Sequence, residues 1–505
     1  MRRMLSIVAV WGVLGPAAPG GAETAERPRV PFPPTADYRL RTIHGWTVRV
    51  HKELLDPQND IGARAVRLLE FKLDRIVQMV PPRAVEKLRQ VPIWISAYDR
   101  RKRHRCACYH PSASWLRNNG YNPDKARSVD IANAANFVSW TKHQPNMVLH
   151  ELAHGYHHRF VPNGHDNADL RAAFRRASKA GAYESVLYCS GARKRAYAMN
   201  NVQEYFAEAT EAMYGTNDFF PFVRVELKEH DPALFAAMRK LWLEPPEAKR
   251  KPPKRARPDS APPAGAAPVG TAGGPSGKPA AAASRPRYTP TREWIARDVE
   301  GWTVYFHPTL VREHKQLDRQ VLRVLTGRLL EVARIVPPKA LATLRTVKIW
   351  MDYEHWRSRA GGYHPSRGWL VRNGYNPDKT ESVDFPRAEG FLRVVRVQPS
   401  VVLHELAHAY HDQCLPGGFG NQEVRAAYQA AKEARLYDDC LLYTGRRLRA
   451  YAMTNPMEYF AELSEAYFGT NDFYPFLRAE LKQHDPKGFE LLEGLWSNPP
   501  QVPKQ

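Results

Sequence analysis

The pattern of apolar and polar residues in the first half of the chain changes between the period of a helix and the alternation of a strand. The elements that it predicts are helices over 60–79 and 83–89, strands over 91–95 and 128–131, and further helices from Asn146 onward. Asn119-Gly120 is typical of a tight turn between two strands. A helix, a small sheet and a second run of helices together indicate an α+β fold.

The second half of the chain repeats the first. Tyr109-His110-Pro111-Ser112 returns as Tyr363-His364-Pro365-Ser366, and the same separation of 254 residues holds as far as Trp242 and Trp496. Upstream the separation grows by two residues, because the basic loop at 103–108 is longer in the first copy. A repeat of this length predicts two tandem globular domains rather than a solenoid, whose units are far shorter.

The repeat and the composition between its copies set the predicted boundaries. Domains over 37–244 and 289–498 carry the two copies. Residues 245–288 are dominated by Pro, Ala, Gly, Lys and Arg, a composition that predicts a disordered linker, since it offers too little apolar surface to offset the entropy of ordering.

The N-terminus has the composition of a secretory signal. Residues 1–22 begin with a basic pair, continue with a short apolar run and end in small residues, so we predict a signal peptide cleaved near Ala22. A retained anchor is the alternative, but the run is short for a membrane span. We therefore predict a secreted, periplasmic or cell-envelope protein with no transmembrane segment in its mature form.

The chain carries a net charge of +22, which favours association with an anionic cell-surface polymer. No nucleic-acid-binding motif accompanies this charge, so no specific nucleic-acid partner is predicted. The five cysteines do not occupy matching positions in the two copies and predict no shared disulfide framework. Cys106 and Cys108 lie two residues apart but have no second ligand pair nearby in the sequence.

One pentad in each copy carries metal chemistry. His150-Glu151-Leu152-Ala153-His154 returns as His404-Glu405-Leu406-Ala407-His408. Histidines four residues apart project from one face of a helix and can bind a single metal ion, while Glu151 and Glu405 lie beside them to take a proton from water. Positions nearby have diverged, so the retained pentad favours a metal site over a surface pattern.

A catalytic zinc ion takes three protein ligands and leaves one position for water. One common pattern places a third histidine six residues after the second, but Phe160 and Cys414 stand there. His157 and His411 lie three residues after the second histidine and are expected to point away from the metal. The third ligand must therefore come from another segment.

Glu204 and Glu458 are the predicted third ligands, each 50 residues beyond the second histidine of its copy. Both begin the sequence Glu-Tyr-Phe-Ala-Glu, and in the first copy the acids at 204, 208 and 211 share one helix face. Glu208 and Glu462, one turn further on, are expected to accept a hydrogen bond from the outer ring nitrogen of a ligand histidine. They are also the alternative third ligands.

The pentad, a downstream tyrosine, six residues and then Glu-Tyr-Phe-Ala-Glu resemble the catalytic domain of anthrax lethal factor and its relatives, a branch of the gluzincin zinc peptidases. The resemblance covers the region from the first histidine to the second glutamate motif in each copy. It implies a zincin-like fold, about one zinc ion per domain on two histidines and a glutamate, and the pentad glutamate as base. It also implies that Tyr197 and Tyr451 assist catalysis, where a phenol would donate a hydrogen bond to the oxyanion.

Two features depart from that family. The pentad holds Leu-Ala at its centre, and the domain is doubled. Nothing in the chain resembles the delivery domains of the toxin, so the resemblance carries over chemistry rather than substrate.

Together these features predict a secreted zinc metallopeptidase, an endopeptidase acting on protein or peptide substrates through two catalytic domains. A secreted zincin-fold module that binds an anionic polymer without turnover is one alternative, and a metal-dependent hydrolase of another bond is the second. The base and the tyrosine, present in both copies, favour the enzyme. His110 and His364, each beside a proline, are interpreted as turn residues.

Overall fold

The computed structural model describes residues 32–98, 106–243, 288–354 and 361–497. The predicted signal peptide lies outside these residues, and so does the predicted linker apart from Tyr288, so both stay predictions. Within the described residues the fold is α+β, as the sequence predicts, with a separate five-stranded sheet in each copy.

The elements of the first copy include the predicted helices and strands, but two paired strands that the sequence pattern did not predict come before the first helix. In chain order the elements are β1 (Tyr38–Ile43), β2 (Trp46–His51), α1 (Asp60–Met79), α2 (Pro82–Leu88), β3 (Ile93–Ile95), β4 (Ala107–His110), α3 (Ala113–Asn118), β5 (Ser128–Ile131), α4 (Ala134–Trp140), α5 (Met147–Phe160), α6 (Ala168–Lys179), β6 (Val186–Leu187), β7 (Arg193–Lys194), α7 (Val202–Tyr214), α8 (Arg224–His230) and α9 (Pro232–Leu241).

The second copy repeats this order and adds one short helix after its second strand. Its elements are β8 (Ile295–Val299), β9 (Trp302–Phe306), α10 (Pro308–Arg312), α11 (Lys315–Ile335), α12 (Pro338–Leu344), β10 (Ile349–Met351), β11 (Gly362–His364), α13 (Arg367–Arg372), β12 (Ser382–Phe385), α14 (Ala388–Val397), α15 (Val401–Cys414), α16 (Gln422–Glu433), β13 (Cys440–Leu441), β14 (Arg447–Leu448), α17 (Pro456–Phe468), α18 (Arg478–His484) and α19 (Pro486–Ser497).

Both five-stranded sheets have the same topology. The strand order is β1-β2-β3-β5-β4 in the first copy and β8-β9-β10-β12-β11 in the second. The three middle strands run parallel, whereas β4 and β11 lie antiparallel at one edge. Strands β3 and β5 are buried along their length, as parallel strands covered on both faces usually are.

The tight turn predicted at Asn119-Gly120 is wrong as a turn between strands. The residues before it form helix α3, whose first turn is capped by the Ser112 hydroxyl, which accepts a hydrogen bond from the Trp115 N–H at 3.2 Å. The helix ends at Asn118, and Gly120 follows with a φ of 71°. Asn-Gly favours left-handed backbone at the end of a helix as much as in a hairpin, so the dipeptide alone does not distinguish the two.

A stacked aromatic pair anchors each helix that carries a histidine pair. Tyr156 of α5 stacks on Trp242 with 4.2 Å between ring centroids, and its hydroxyl donates to the carbonyl oxygen of Leu241 at 2.9 Å. In the second copy Tyr410 stacks on Trp496 at 4.0 Å. All four rings are buried. These contacts hold α5 and α15 in place, which the histidines need if they are to meet ligands from another helix.

The chain divides into two compact units. One contains the described residues of Met1–Arg176 together with Asn200–Glu211 and Ala237–Leu243, and the other contains Ala177–Met199, Ala212–Ala236 and the described residues of Glu244–Gln505. The two histidine-bearing helices lie in different units. The domain boundaries inferred from the repeat stay a prediction.

In the part of the chain that the structure describes, no helix combines the length and the apolar character needed to cross a membrane.

Candidate metal centres

Helix α5 brings the two histidines of the first pentad to one point. The Nε2 atoms of His150 and His154 are 3.2 Å apart, and helix α7 adds the third member of the set. The Glu204 Oε2 atom lies 3.2 Å from His150 Nε2 and 3.3 Å from His154 Nε2. Glu204 is held in the first turn of α7, where its backbone N–H donates to the Asn201 side chain at 2.9 Å.

The second copy builds the same arrangement from α15 and α17. The Nε2 atoms of His404 and His408 are 3.1 Å apart, and Glu458 Oε2 lies 3.2 Å from each of them. Asn455 caps α17, since its side chain accepts hydrogen bonds from the backbone N–H groups of Met457 and Glu458. The structure therefore brings all the predicted ligands together in both copies.

The spacing of these atoms fits a tetrahedral metal ion. With Zn–N and Zn–O distances of about 2.0–2.1 Å, neighbouring ligand atoms in such a site are about 3.3–3.4 Å apart. The separations in the two sets lie between 3.1 and 3.3 Å. Two histidines and one glutamate match the protein ligands of an open zinc site, in which the fourth position is kept for water.

The electrostatics of the second set also favour a cation. Burial alone raises the pKa of Glu458, but His408 and His404 hold that pKa far below its usual range. Burial lowers the pKa of His404, yet hydrogen bonds to Glu458 and Glu465 raise it well above the usual value. The carboxylates and the imidazole therefore favour the charged form of each other. A divalent ion would supply this positive charge more directly.

Further acids crowd behind His404. Glu462 and Glu465 are buried, with exposures of 1% and 0%, and burial together with the charge of Glu465 raises the pKa of Asp472 to about 7. The pKa of Glu462 is raised by burial and by the charge of Asp472. This concentration of carboxylates is costly unless a positive charge lies nearby. A metal ion bound at His404 would lower this cost and favour the charged form of these acids.

The carboxylate that orients the first histidine is one helical turn beyond the predicted one. The Nδ1 atom of His150 lies 2.8 Å from Glu211 Oε1 but 3.8 Å from Glu208 Oε1. In the second copy, His404 Nδ1 lies 2.7 Å from Glu465 Oε1 and 3.7 Å from the equivalent Glu462. Glu211 and Glu465 thus lie where they can orient the histidine rings, the role that the sequence assigned to Glu208 and Glu462.

Replacing Glu211 and Glu465 together by glutamine is expected to weaken zinc binding by about 10-fold to 100-fold, the usual effect of losing an outer carboxylate on a ligand histidine. Neutral glutamine still accepts a hydrogen bond but does not make the imidazole a stronger donor to the metal. Competition with a zinc-binding dye measures the change. The matched control replaces Glu208 and Glu462 by glutamine, and a larger effect there would contradict the geometry.

The pentad glutamates lie against the edge strand of each sheet. The Glu151 Oε2 atom accepts a hydrogen bond from the backbone N–H of Tyr109, on β4, at 2.7 Å. In the second copy, Glu405 is likewise hydrogen-bonded to the backbone N–H of Tyr363, and burial raises its pKa. A raised pKa makes a carboxylate a stronger base.

The predicted tyrosines occupy equivalent positions. Tyr451 begins a short 3₁₀ helix over Tyr451–Met453, and its hydroxyl donates to Glu458 Oε1 at 3.2 Å. Burial and the charge of Glu458 raise the pKa of Tyr451, so the phenol keeps its proton and can donate it in a hydrogen bond. Tyr197 begins the 3₁₀ helix Tyr197–Asn200 in the same way.

The histidines one turn beyond each pair are not ligands. His157 and His411 are completely buried and pack against Phe206 and Phe460, with 4.7 and 5.0 Å between ring centroids. Burial lowers the pKa of both to about 3, so they stay neutral. Phe160, at the position of a third histidine in the alternative pattern, packs on Tyr156.

Comparison of the chain with protein-family models, with curated proteins and with solved structures finds no match. What the sites can do is therefore argued from their own residues. Their geometry establishes two groups of histidine and glutamate, partly buried in the first copy and buried in the second, that could bind a metal ion.

Proposed function

We propose that this chain is a secreted zinc-dependent endopeptidase with a catalytic centre in each copy. The observation that carries the proposal is the convergence of two histidines and a glutamate in both copies, directly beside a glutamate on the same helix that is positioned as a base. A histidine, histidine, glutamate set with an adjacent base is a recognised hydrolytic zinc site.

A zinc ion bound to each set would polarise a water molecule and lower its pKa towards neutrality. Glu151 and Glu405 would accept the proton of that water and pass it to the leaving amine. Tyr451 would turn its hydroxyl from Glu458 to the carbonyl oxygen as negative charge develops there. Tyr197 would act in the same way in the first copy.

The chemistry and the surroundings of the base support a peptide as the substrate. The N–H groups of Tyr109 and Tyr363 hold one oxygen of each base, so the base and the antiparallel edge strand form one structural unit. A peptide bond has a carbonyl group that water can attack and an amine that needs a proton on leaving. The tyrosine hydroxyl would serve the carbonyl oxygen, and the glutamate would serve the amine. The net charge of +22 supports retention at an anionic cell-surface polymer.

The proposal predicts that proteolysis depends on zinc. The purified full chain is expected to cleave an unstructured protein and a peptide library, to lose at least about 100-fold of its rate in a chelator, and to recover on addition of zinc. Cleavage products are read by mass spectrometry, and zinc by elemental analysis. Proteolysis that continues in the chelator with no bound metal, or zinc-loaded protein that cleaves no peptide, would refute the assignment.

A further inference from the structure

A third group of metal-binding side chains lies in the first copy, on the opposite face of the sheet from the pentad helix. We propose that Cys108, His110 and Asp130 form a metal site of the zinc class that the second copy lacks. The three side chains are buried, with exposures of 8%, 5% and 0%, and the ligand atoms lie within 4.8 Å of one another.

The register of the sheet brings these residues together. Cys108 pairs with Asp130 across the antiparallel strands β4 and β5. Because side chains alternate along a strand, Cys108 and His110 share one face of β4, whereas Tyr109 points to the other. The Tyr109 hydroxyl contacts His158 Nδ1 of helix α5 at 2.9 Å, which identifies that other face as the pentad side. The site is therefore separate from the catalytic centre.

The geometry excludes a catalytic triad of cysteine, histidine and aspartate. In such a triad the nucleophile and the acid bind opposite nitrogens of the imidazole. Here Cys108 Sγ and Asp130 Oδ2 both lie 3.4 Å from the same atom, His110 Nε2. One N–H group cannot serve both partners well, and 3.4 Å is long for a hydrogen bond to the carboxylate oxygen.

A shared ion accounts for the same distances. In a tetrahedral zinc site, N and O ligands lie about 3.4 Å apart and N and S ligands about 3.6 Å apart, given the usual bond lengths. Thiolate with imidazole is a ligand set that selects zinc over magnesium or calcium. Binding would displace the thiol proton of Cys108 to solvent.

The remaining oxygen of Asp130 is already used. Its Oδ1 atom accepts a hydrogen bond from Lys125 Nζ at 2.9 Å, so Oδ2 is the oxygen directed at His110. The second copy keeps this arrangement, with Lys379 Nζ at 2.8 Å from Asp384 Oδ1 and His364 at 3.4 Å from Oδ2. The ion pair is therefore common to both copies, and the thiol is the addition.

The second copy supplies a matched control. Gly362 stands at the position of Cys108 and pairs with Asp384 in the same register. A Cβ atom added at Gly362 would meet no atom of the described residues within 4 Å, so a cysteine fits among them. Cys108→Gly gives the first copy the residue that the second copy has at this position, and Gly362→Cys does the reverse.

Cobalt substitution of the full chain tests the site, because a thiolate ligand gives Co²⁺ an intense near-ultraviolet charge-transfer band and the pentad sites contain no sulfur. We expect this band in the unaltered chain, its loss in Cys108→Gly, and about a twofold increase in Gly362→Cys. Zinc content should change in parallel: about three ions per unaltered chain, about two in Cys108→Gly and about four in Gly362→Cys. Cys106→Ala should leave the band unchanged.

Two outcomes would overturn the proposal: an unaltered chain without the band, which would leave a neutral hydrogen-bonded cluster, or a Cys108→Gly variant that keeps its third ion. The proposed cysteine site and the proposed peptidase activity can be tested independently. If the pentad sites bind no metal, the thiolate band persists, and if the band is absent, zinc-dependent proteolysis is unaffected.

Discussion

Replacing Glu151 and Glu405 together by glutamine is expected to remove peptide hydrolysis while the metal stays bound. Loss of a general base costs about 100-fold to 10,000-fold in rate. Neither residue belongs to a ligand set, so zinc content should not fall. The measurement pairs kcat/KM on a peptide substrate with elemental analysis of the same sample.

The single variants should divide the activity between the two copies. The side chains of His150 and His154 are 13% and 14% exposed, against 4% and 7% for His404 and His408. A more open centre admits a peptide more readily, so we expect Glu151→Gln to remove the larger share. Full activity in the double variant would refute the peptidase assignment. A larger loss in Glu405→Gln than in Glu151→Gln would reverse only the ranking of the two copies.

The ligands could be predicted from the sequence because their geometry is mostly local. Two histidines four residues apart on a helix must meet at one face, whatever the rest of the fold does. Predicting Glu204 and Glu458 required further information, since the sequence of one copy shows only that an acid-rich helix follows the pentad. The repetition within the chain supplied that additional information.

The outer carboxylates show where local reasoning ends. Glu204, Glu208 and Glu211 lie on one face of α7, so the helical period makes each a candidate partner for the histidine. Which one meets His150 Nδ1 depends on the angle and height at which α7 crosses α5, and packing of distant residues sets both. The sequence therefore favoured the nearest acid, whereas the structure places Glu211 at 2.8 Å.

The cysteine site was hidden for a related reason. His110 was interpreted as a turn residue beside a proline, but it ends the edge strand β4. Its partner Asp130 lies 20 residues away and comes into contact only through the register of β4 with β5. Strand register depends on the whole sheet, so the spacing of Cys106 and Cys108 in the sequence does not predict it.

Replacing Glu204 and Glu458 by glutamine tests the ligand sets themselves and is expected to weaken zinc binding by more than about 100-fold per site, since one of three protein ligands becomes neutral. Proteolysis should be lost with the metal, in contrast to the base variants. The thiolate band of the cobalt-substituted chain should persist, because Cys108 lies on the other face of the sheet. Zinc retained at full content would show that another acid is the ligand.

The same substitutions should also destabilise the metal-free protein, and unequally. Glu458 and His404 form a buried pair with side-chain exposures of 2% and 4%, against 5% and 13% for Glu204 and His150. Breaking a buried ion pair costs about 3–5 kcal/mol when the partner is left without any counter-charge. The loss here should be smaller, because His404 keeps Glu465 at 2.7 Å and His150 keeps Glu211 at 2.8 Å. We therefore expect Glu458→Gln to lower the thermal unfolding midpoint more than Glu204→Gln when both are measured in chelator. Equal shifts would mean that water reaches the two centres alike, and burial would then not explain any difference in their activity.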